Sequence, residues 1–365
     1  MALKCGIVGI TNIGKTTIFN CMSNTKAQAS NYAFSASKSN IGMVEVPDPR
    51  LYEINRITKS ARVVPATVDI VDIPGLTKGS SHGEGVGNVF LNDIQQTDAL
   101  IHVLRCFDDD DLSHIEGSVD PARDKEIVDF ELQLKDLEMV ERKIERTEKA
   151  AKSGEKAIKH ELDILQRFKD HLENMQPIRT LDISEDEKKN LGDLFLLSDK
   201  PVIYVCNVDD VSANNGNKYV EAVKEAVRSE NSEVLVIAGQ LEAEIAELES
   251  EEDRKEFLAD AGLNEPGVNK LIRSAYKILN LQSFFTTGPK ETRAWTIKMG
   301  MNARQAAGAI HSDLERGFIR AEVIKYDDFI SLGSEQAVKD AGKLHVEGKN
   351  YIVREGDMLH ILFNV

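Results

Sequence analysis

The sequence predicts an α/β fold carrying a helical insertion and a separate C-terminal α+β part. Three observations point there. Short, continuously apolar runs recur at 3–8, 68–73, 99–104, 202–205 and 234–237. A strongly charged stretch almost without strand formers interrupts them at about 120–176. Beyond residue 282 the pattern changes to alternating segments mixed with short helical ones. At 365 residues the chain is also long enough for two or three cores.

Each part has a local physical basis. Apolar runs of four to six residues suit strands buried on both faces, the condition of a parallel sheet covered by helices. The charged stretch opens with Asp120-Pro121, an N-cap followed by a residue whose missing N–H costs nothing in the first turn. Ile127, Phe130, Leu134, Leu137, Val140 and Ile144 follow at spacings of three and four, predicting one apolar stripe. After Ser153-Gly154 a second stripe comprises Ile158, Leu162, Leu165, Leu172 and Met175, so two amphipathic helices should fold back as a coiled-coil hairpin. In the last part, 294–297, 318–324, 351–353 and 359–363 read as strands, and 303–311 and 334–341 as helices.

Composition narrows the possible functions. A hydrophobic share of 41% with 29% charged residues is ordinary for a globular protein. The N-terminus enters its first apolar run without a charged leader or cleavage site, and no apolar stretch approaches a bilayer span, so a cytoplasmic protein with no membrane partner is expected. Cys5, Cys21, Cys106 and Cys206 are far apart and predict buried, reduced thiols. The histidines show no zinc-ligand spacing. The net charge of -16 argues against unassisted binding to nucleic acid, sequence-specific DNA binding included. That charge is uneven: 34 basic and 50 acidic residues precede Phe284, against 11 of each from Phe284 onward. The C-terminal part is therefore the better candidate for meeting an RNA-containing partner.

The chemistry is concentrated in GITNIGKT, residues 9–16, which matches the phosphate-loop pattern at Gly9, Gly14, Lys15 and Thr16 in the required strand, loop and helix context. Glycines let backbone N–H groups turn inward around phosphates at the start of a helix. Nucleotide contacts are expected from Gly9, Asn12, Ile13, Gly14, Lys15, Thr16 and Thr17, with Lys15 on the β- and γ-phosphates, Thr16 on Mg²⁺ and Thr17 at the α-phosphate. Asp72-Ile73-Pro74-Gly75 closes the run at 68–73 in DxxG form. Its Asp72 would hold Mg²⁺ through water, and the Gly75 N–H would sense the γ-phosphate. The catalytic set is thus Lys15, Thr16, Asp72 and Gly75.

Base recognition is less determined. Asn207-Val208-Asp209-Asp210 lies where GTPases carry NKxD, and Val208 replaces the lysine that covers guanine while Asp210 keeps an acid, leaving ATP and GTP open. Leu76 follows Gly75 where Ras-like enzymes place a water-orienting glutamine, which predicts slow intrinsic hydrolysis. The glycine-rich segment 79–88 reads as a switch loop, with His82 or Glu84 as possible water-positioning groups.

Longer stretches carry a family resemblance: NIGMVEVPDPRL from Asn40, GEGVGN from Gly83, RCFDDDD from Arg105, EAEIAEL from Glu242, FFTTGPKETRAWTIK from Phe284, QAAGAIHSDLERGFIRAEVIKYDDF from Gln305 and the closing FNV. Across nearly its whole length the chain resembles the YchF family of Obg-like ATPases. The resemblance implies a P-loop NTPase domain of residues 1–119 and 200–281, an inserted coiled-coil domain at 120–199, and a C-terminal TGS domain of β-grasp fold at 282–365. It further implies preference for ATP, association with ribosomes through the TGS and coiled-coil domains, and a hydrophobic residue, here Leu76, in place of the catalytic glutamine. Asn12 matches an asparagine that helps coordinate K⁺ in related enzymes. Three positions depart from the family pattern. Ala36 stands where the switch threonine ligates Mg²⁺, so that either Ser35 or Ser37 substitutes or the switch engages Mg²⁺ less tightly. Asp210 replaces a glutamate, and Ala238-Gly239-Gln240 replaces the usual last base-contacting stretch. The expected function is a slow ATPase switch on the translation machinery. The alternatives are a GTP-dependent ribosome assembly factor and a metabolic P-loop kinase, for which acceptor-pocket and lid arginines are lacking.

Overall fold

The computed structural model describes residues 3–23, 39–76, 86–151, 156–192 and 194–364. They form two compact units, one of residues 1–42 with 69–268, the other of 43–68 with 269–365.

The first unit is built on a six-stranded sheet in the order β2-β4-β1-β5-β6-β7. The strands are β1 (Lys4–Val8), β2 (Asn40–Glu45), β4 (Thr67–Asp72), β5 (Ala99–Arg105), β6 (Val202–Asn207) and β7 (Glu233–Ile237). From β4 to β7 the pairing is parallel. All seven residues of β5 and all six of β6 are buried, which is why those runs lack polar alternation. The helices are α1 (Lys15–Ser23), α3 (Val86–Gln95), α4 (Pro121–Ala151), α5 (Lys156–Glu173), α6 (Glu185–Asn190), α7 (Lys218–Ala226), α8 (Gly239–Glu247) and α9 (Glu251–Asp260). All four cysteines are buried, and none is joined in a disulfide. Among the described residues no helix is long and apolar enough to cross a membrane.

The expected hairpin is present as α4 and α5, although its Ser153-Gly154 turn lies outside the described residues. Its distal core joins Val140 to Ile164, Leu165, Phe168 and Leu172 together with Ile178, Leu191 and Leu196 from the returning chain. The predicted stripe fails in the first half of α4. Phe130 is 44% exposed, whereas Asp124, Lys125, Asp129, Glu131 and Asp136 are buried. Polar partners fix that face. Lys125 pairs with Asp129 and Glu230, each at 2.6 Å, and Arg179 with the same two carboxylates, each at 2.8 Å. Tyr204 of β6 donates to Glu230 at 2.7 Å, and Asp136 accepts from the backbone N–H groups of Leu197 and Ser198, both at 2.7 Å. These groups lie too far apart in sequence for periodicity to reveal them.

The second unit has a six-stranded sheet ordered β11-β10-β12-β8-β9-β3, from β3 (Arg62–Val64), β8 (Leu281–Thr287), β9 (Glu291–Lys298), β10 (Phe318–Lys325), β11 (His345–Glu347) and β12 (Asp357–Phe363). Its helices include α2 (Pro49–Thr58), α11 (Ala303–Ile310), α12 (Ser312–Arg316), α13 (Tyr326–Leu332) and α14 (Glu335–Asp340), with α10 (Gly267–Ile278) leading into it. Phe284, Ile297, Val323 and Leu359 form its core with the three alanines Ala303, Ala306 and Ala307 of α11. Residues 351–353 make an isolated bridge from Ile352 to Asn302 rather than the expected strand.

The two units divide the chain differently from the expected domains. Residues 43–68 and 269–281, assigned from sequence to the nucleotide domain, group with the C-terminal unit. β3 adds parallel to β9, and Arg62 pairs with Glu291 beside it. Buried Thr292 bonds Ser60 Oγ at 2.8 Å and Thr58 Oγ1 at 3.1 Å. The helical insertion, in turn, is compact with the first unit rather than a unit by itself.

Replacing Arg179 with Met leaves two buried carboxylates sharing the single cation Lys125 and should cost about 3–5 kcal/mol at pH 7. Burial alone would raise the Asp129 and Glu230 pKa values, but Arg179 and Lys125 outweigh it and hold both below the ordinary range. The stabilisation is therefore complete above the ordinary carboxylate pKa and lost as pH falls through the depressed folded values. Urea unfolding at pH 7 and at about pH 2.5, below the ordinary carboxylate range, should show the gap between wild type and Arg179→Met narrowing in acid. A constant gap contradicts this account.

Candidate nucleotide-binding site

The residues singled out in the sequence meet at the carboxyl edge of the parallel sheet, where open α/β sheets place ligands. The phosphate loop follows β1 and runs into α1, whose first turn is closed by the Ile18 N–H donating to the Gly14 carbonyl at 3.0 Å. Gly9 and Gly14 take φ values of 145° and 89°, and Asn12 the left-handed value of 61°. Ile13 is buried, and Asn12, Thr16 and Thr17 are exposed on the loop surface. Lys15 is 7% exposed and its Nζ donates to the Ile10 carbonyl. Burial lowers its pKa to about 8, against an opposing pull from Asp72.

Asp72, at the end of β4, accepts from Thr16 Oγ1 at 3.0 Å through Oδ2. Its Oδ1 is buried without a partner among the described residues. Burial raises the Asp72 pKa, while Thr16 and Lys15 oppose the rise. An unsatisfied buried carboxylate oxygen beside a threonine hydroxyl is a donor set suited to a hard divalent cation, so these residues fit Mg²⁺. Gly75 packs against the phosphate loop so closely that a Cβ there would lie 2.8 Å from Thr11 Cγ2 and 3.0 Å from Lys15 Nζ. Leu76 donates its N–H to the Gly9 carbonyl at 3.0 Å and is 1% exposed, so its side chain belongs to the core.

Asn207 has a role that its sequence position does not reveal. Its Nδ2 donates to the Ile13 carbonyl at 2.9 Å, and its Oδ1 accepts from the Gly239 N–H at 2.9 Å. One buried side chain thus ties together the phosphate loop, the loop after β6 and the start of α8. Gly14 is held by the same contact, since a Cβ on it would stand 2.3 Å from Asn207 Nδ2. Gly239 was visible in the sequence only as part of an atypical Ala238-Gly239-Gln240, and its backbone amide has no sequence signature.

The remaining base-motif residues divide. Val208 is 3% exposed, with its N–H on the Ile237 carbonyl. Asp209 caps a short 3-10 turn by accepting from the Ser212 N–H at 2.8 Å. Asp210 and Gln240 are exposed, following strands whose ends pair at Asn207 and Ile237. Burial, then Glu244 and Asp209, raises the Asp210 pKa. The switch residues Ser35, Ala36 and Ser37, and the loop residues His82 and Glu84, lie outside the described residues.

A family profile described as "50S ribosome-binding GTPase" matches residues 4–149, and the YchF-GTPase C-terminal profile, described as a protein of unknown function, matches 281–364. The chain is 48% identical to the "Ribosome-binding ATPase YchF" of Escherichia coli O157:H7, with all of both chains covered. The chain belongs to the YchF family. The Bacillus subtilis protein of the same name is 44% identical, again over all of both chains. The solved structure of the Schizosaccharomyces pombe YchF GTPase superposes with a TM-score of 0.87 at 36% identity, covering 99% of this chain and 97% of that one. The expected class, a P-loop NTPase domain with a C-terminal α/β domain, is therefore the fold of this YchF family member.

Two substitutions test the geometry. Asn207→Ala removes both ties and should weaken nucleotide binding by roughly ten- to a hundredfold, as loss of one or two buried hydrogen bonds predicts. Calorimetric titration checks it, and unchanged affinity contradicts the assignment. Gly75→Ala should fold normally, because Gly75 needs no positive φ. Its Cβ crowds the loop, so it should weaken a triphosphate more than a diphosphate, and equal effects on both would count against this packing.

Proposed function

We propose that the chain is a slow, ATP-using switch that acts on the ribosome in the cytoplasm. The observation that carries this reading is the Thr16–Asp72 pair, with its unsatisfied Oδ1, set beside a phosphate loop held by Asn207. The relatives' printed names, ribosome-binding ATPase in two bacteria, support the ribosome and ATP.

In this reading the inward N–H groups of residues 9–17 cradle the phosphates, and Lys15 leaves the Ile10 carbonyl to bridge the β- and γ-phosphates. Thr17 serves the α-phosphate, and the Gly75 N–H reports on the γ-phosphate. Thr16 and Asp72 would hold Mg²⁺, which when bound neutralises charge on the transferring phosphoryl group. Asn12, exposed on the loop, is the side chain we assign to K⁺. Buried Leu76 cannot orient water, which makes turnover slow without a partner. The hairpin and the TGS domain at 282–365 would face the ribosome, and the glycine-rich segment at 79–88 would serve as a switch.

A GTP-dependent reading is favoured by the exposed carboxylate of Asp210, which can accept from guanine, and by the word GTPase in the descriptions of the matching profile and the Schizosaccharomyces pombe structure. Separate titrations of ATP and GTP into the Mg²⁺-supplemented protein decide the base, and tighter GTP binding overturns the ATP assignment. Single-turnover hydrolysis should be slow, on the order of 10⁻³ s⁻¹ or below, and should rise when K⁺ replaces Na⁺. Fast hydrolysis in Na⁺ alone contradicts both the Leu76 and the Asn12 roles.

A further inference from the structure

The rotation of α4 that buries its charges leaves an apolar surface at the root of the hairpin. Phe130 is 44% exposed, and Met175, in the turn after α5, is 59% exposed. Met175 also adopts a left-handed φ of 55°, a costly conformation for a long side chain. Both residues border two adjoining hollows. One, of about 810 Å³, runs along the charged face of α4 beside Glu126, Asp129 and Glu230. The other, of about 250 Å³, is apolar and lies over Leu134, Leu137 and Leu172. Phe130, Gln133 and Met175 line both, so the hollows form one groove.

The charges around this groove select its occupant. Its larger hollow carries the carboxylates Glu126, Asp129, Glu131 and Glu230 against two cations, Arg123 and Lys125. Both cations are engaged internally, Lys125 by Asp129 and Glu230, and Arg123 by Asp124. The outward-facing charges are acidic on balance: Glu126 is exposed, and Glu173, at the end of the apolar hollow, has a side chain 52% exposed and only a 3.7 Å contact with Lys169, which Glu141 holds more closely at 3.0 Å. A polyanion is repelled here, because binding one requires basic groups that release its counterions. An amphipathic helix with an apolar stripe and flanking lysines or arginines matches both the apolar floor and the acidic rim.

We propose that this groove docks a basic, amphipathic helical segment of a partner protein. Apolar side chains of the segment sit over Leu134 and Leu137 between Phe130 and Met175, and its basic residues meet Glu126 and Glu173. The proposal rests on the ribosome reading only in naming ribosomal protein as the natural source of such a segment.

The test uses the full chain and a fluorescent Lys/Leu amphipathic peptide of about 18 residues, long enough for five helical turns. The peptide should bind wild type. It should bind roughly tenfold more weakly to Phe130→Ser/Met175→Ser and to Glu126→Lys/Glu173→Lys, and a Glu/Leu peptide should bind wild type at least as weakly. All four positions are exposed, and an unchanged melting temperature and ATP affinity confirm that the variants are folded. Equal binding by wild type and variants overturns the proposal. Labelled poly(U) binding that the apolar variant loses overturns it in favour of RNA, and a wild-type dimer that the same variant dissociates overturns it in favour of a second copy. Co-sedimentation with purified ribosomes keeps the two readings apart. A wild-type chain that does not sediment sinks the ribosome reading, while the peptide titration still decides the groove.

Discussion

The two hydrogen bonds of the Asn207 side chain hold the nucleotide site together. They span three loops that leave different strands of one parallel sheet, and neither bond reaches solvent. A phosphate loop alone is a run of backbone with two positive-φ glycines, and nothing local fixes its shape. With Asn207 Nδ2 on the Ile13 carbonyl, Gly14 is confined to a space that excludes even a methyl group. The same side chain accepts from Gly239 and so sets where α8 begins. Because α8 packs on α1, the loop is held at its crown and through its helix.

A second network of opposite character shapes the insertion. Lys125, Asp129, Arg179 and Glu230 neutralise one another in a closed ring, with Tyr204 of β6 donating into it. Burying four charges is favourable only when every one is paired. The ring therefore dictates which face of α4 turns inward, and the apolar Phe130 is displaced outward as a consequence. Tyr204 stands three residues before Asn207 on the same strand, so the ring and the nucleotide loops share β6 as a common support.

Much of this was legible in the sequence. Strands β1, β4, β5, β6 and β7 follow from short apolar runs, most directly in β5 and β6, where full burial removes the polar alternation that otherwise blurs short strands. The phosphate loop, Asp72, Gly75 and Leu76 follow from fixed spacing, because the chemistry of a triphosphate admits few residue types at those positions. The helix pair was legible from its periodicity, but the orientation of α4 was not, because a period names a face without saying whether paired charges will claim the opposite one.

Sequence by itself determined the class of the chain and located its phosphate-loop pattern, with Leu76 after the DxxG glycine, all of which depend on residues close together along the backbone. Tertiary structure alone decided the rest. Residues 43–68 interrupt the nucleotide domain in sequence, yet β3 pairs with β9 more than two hundred residues away. Asn207, singled out in the sequence by its base motif, also ties two loops together, a role its sequence position does not reveal. Arg179 and Glu230, unremarkable in the chain, complete the ring that orients α4. Each of these is a hydrogen bond or ion pair between distant segments, and the free energy of such a contact exists only once the fold has brought both partners out of water together.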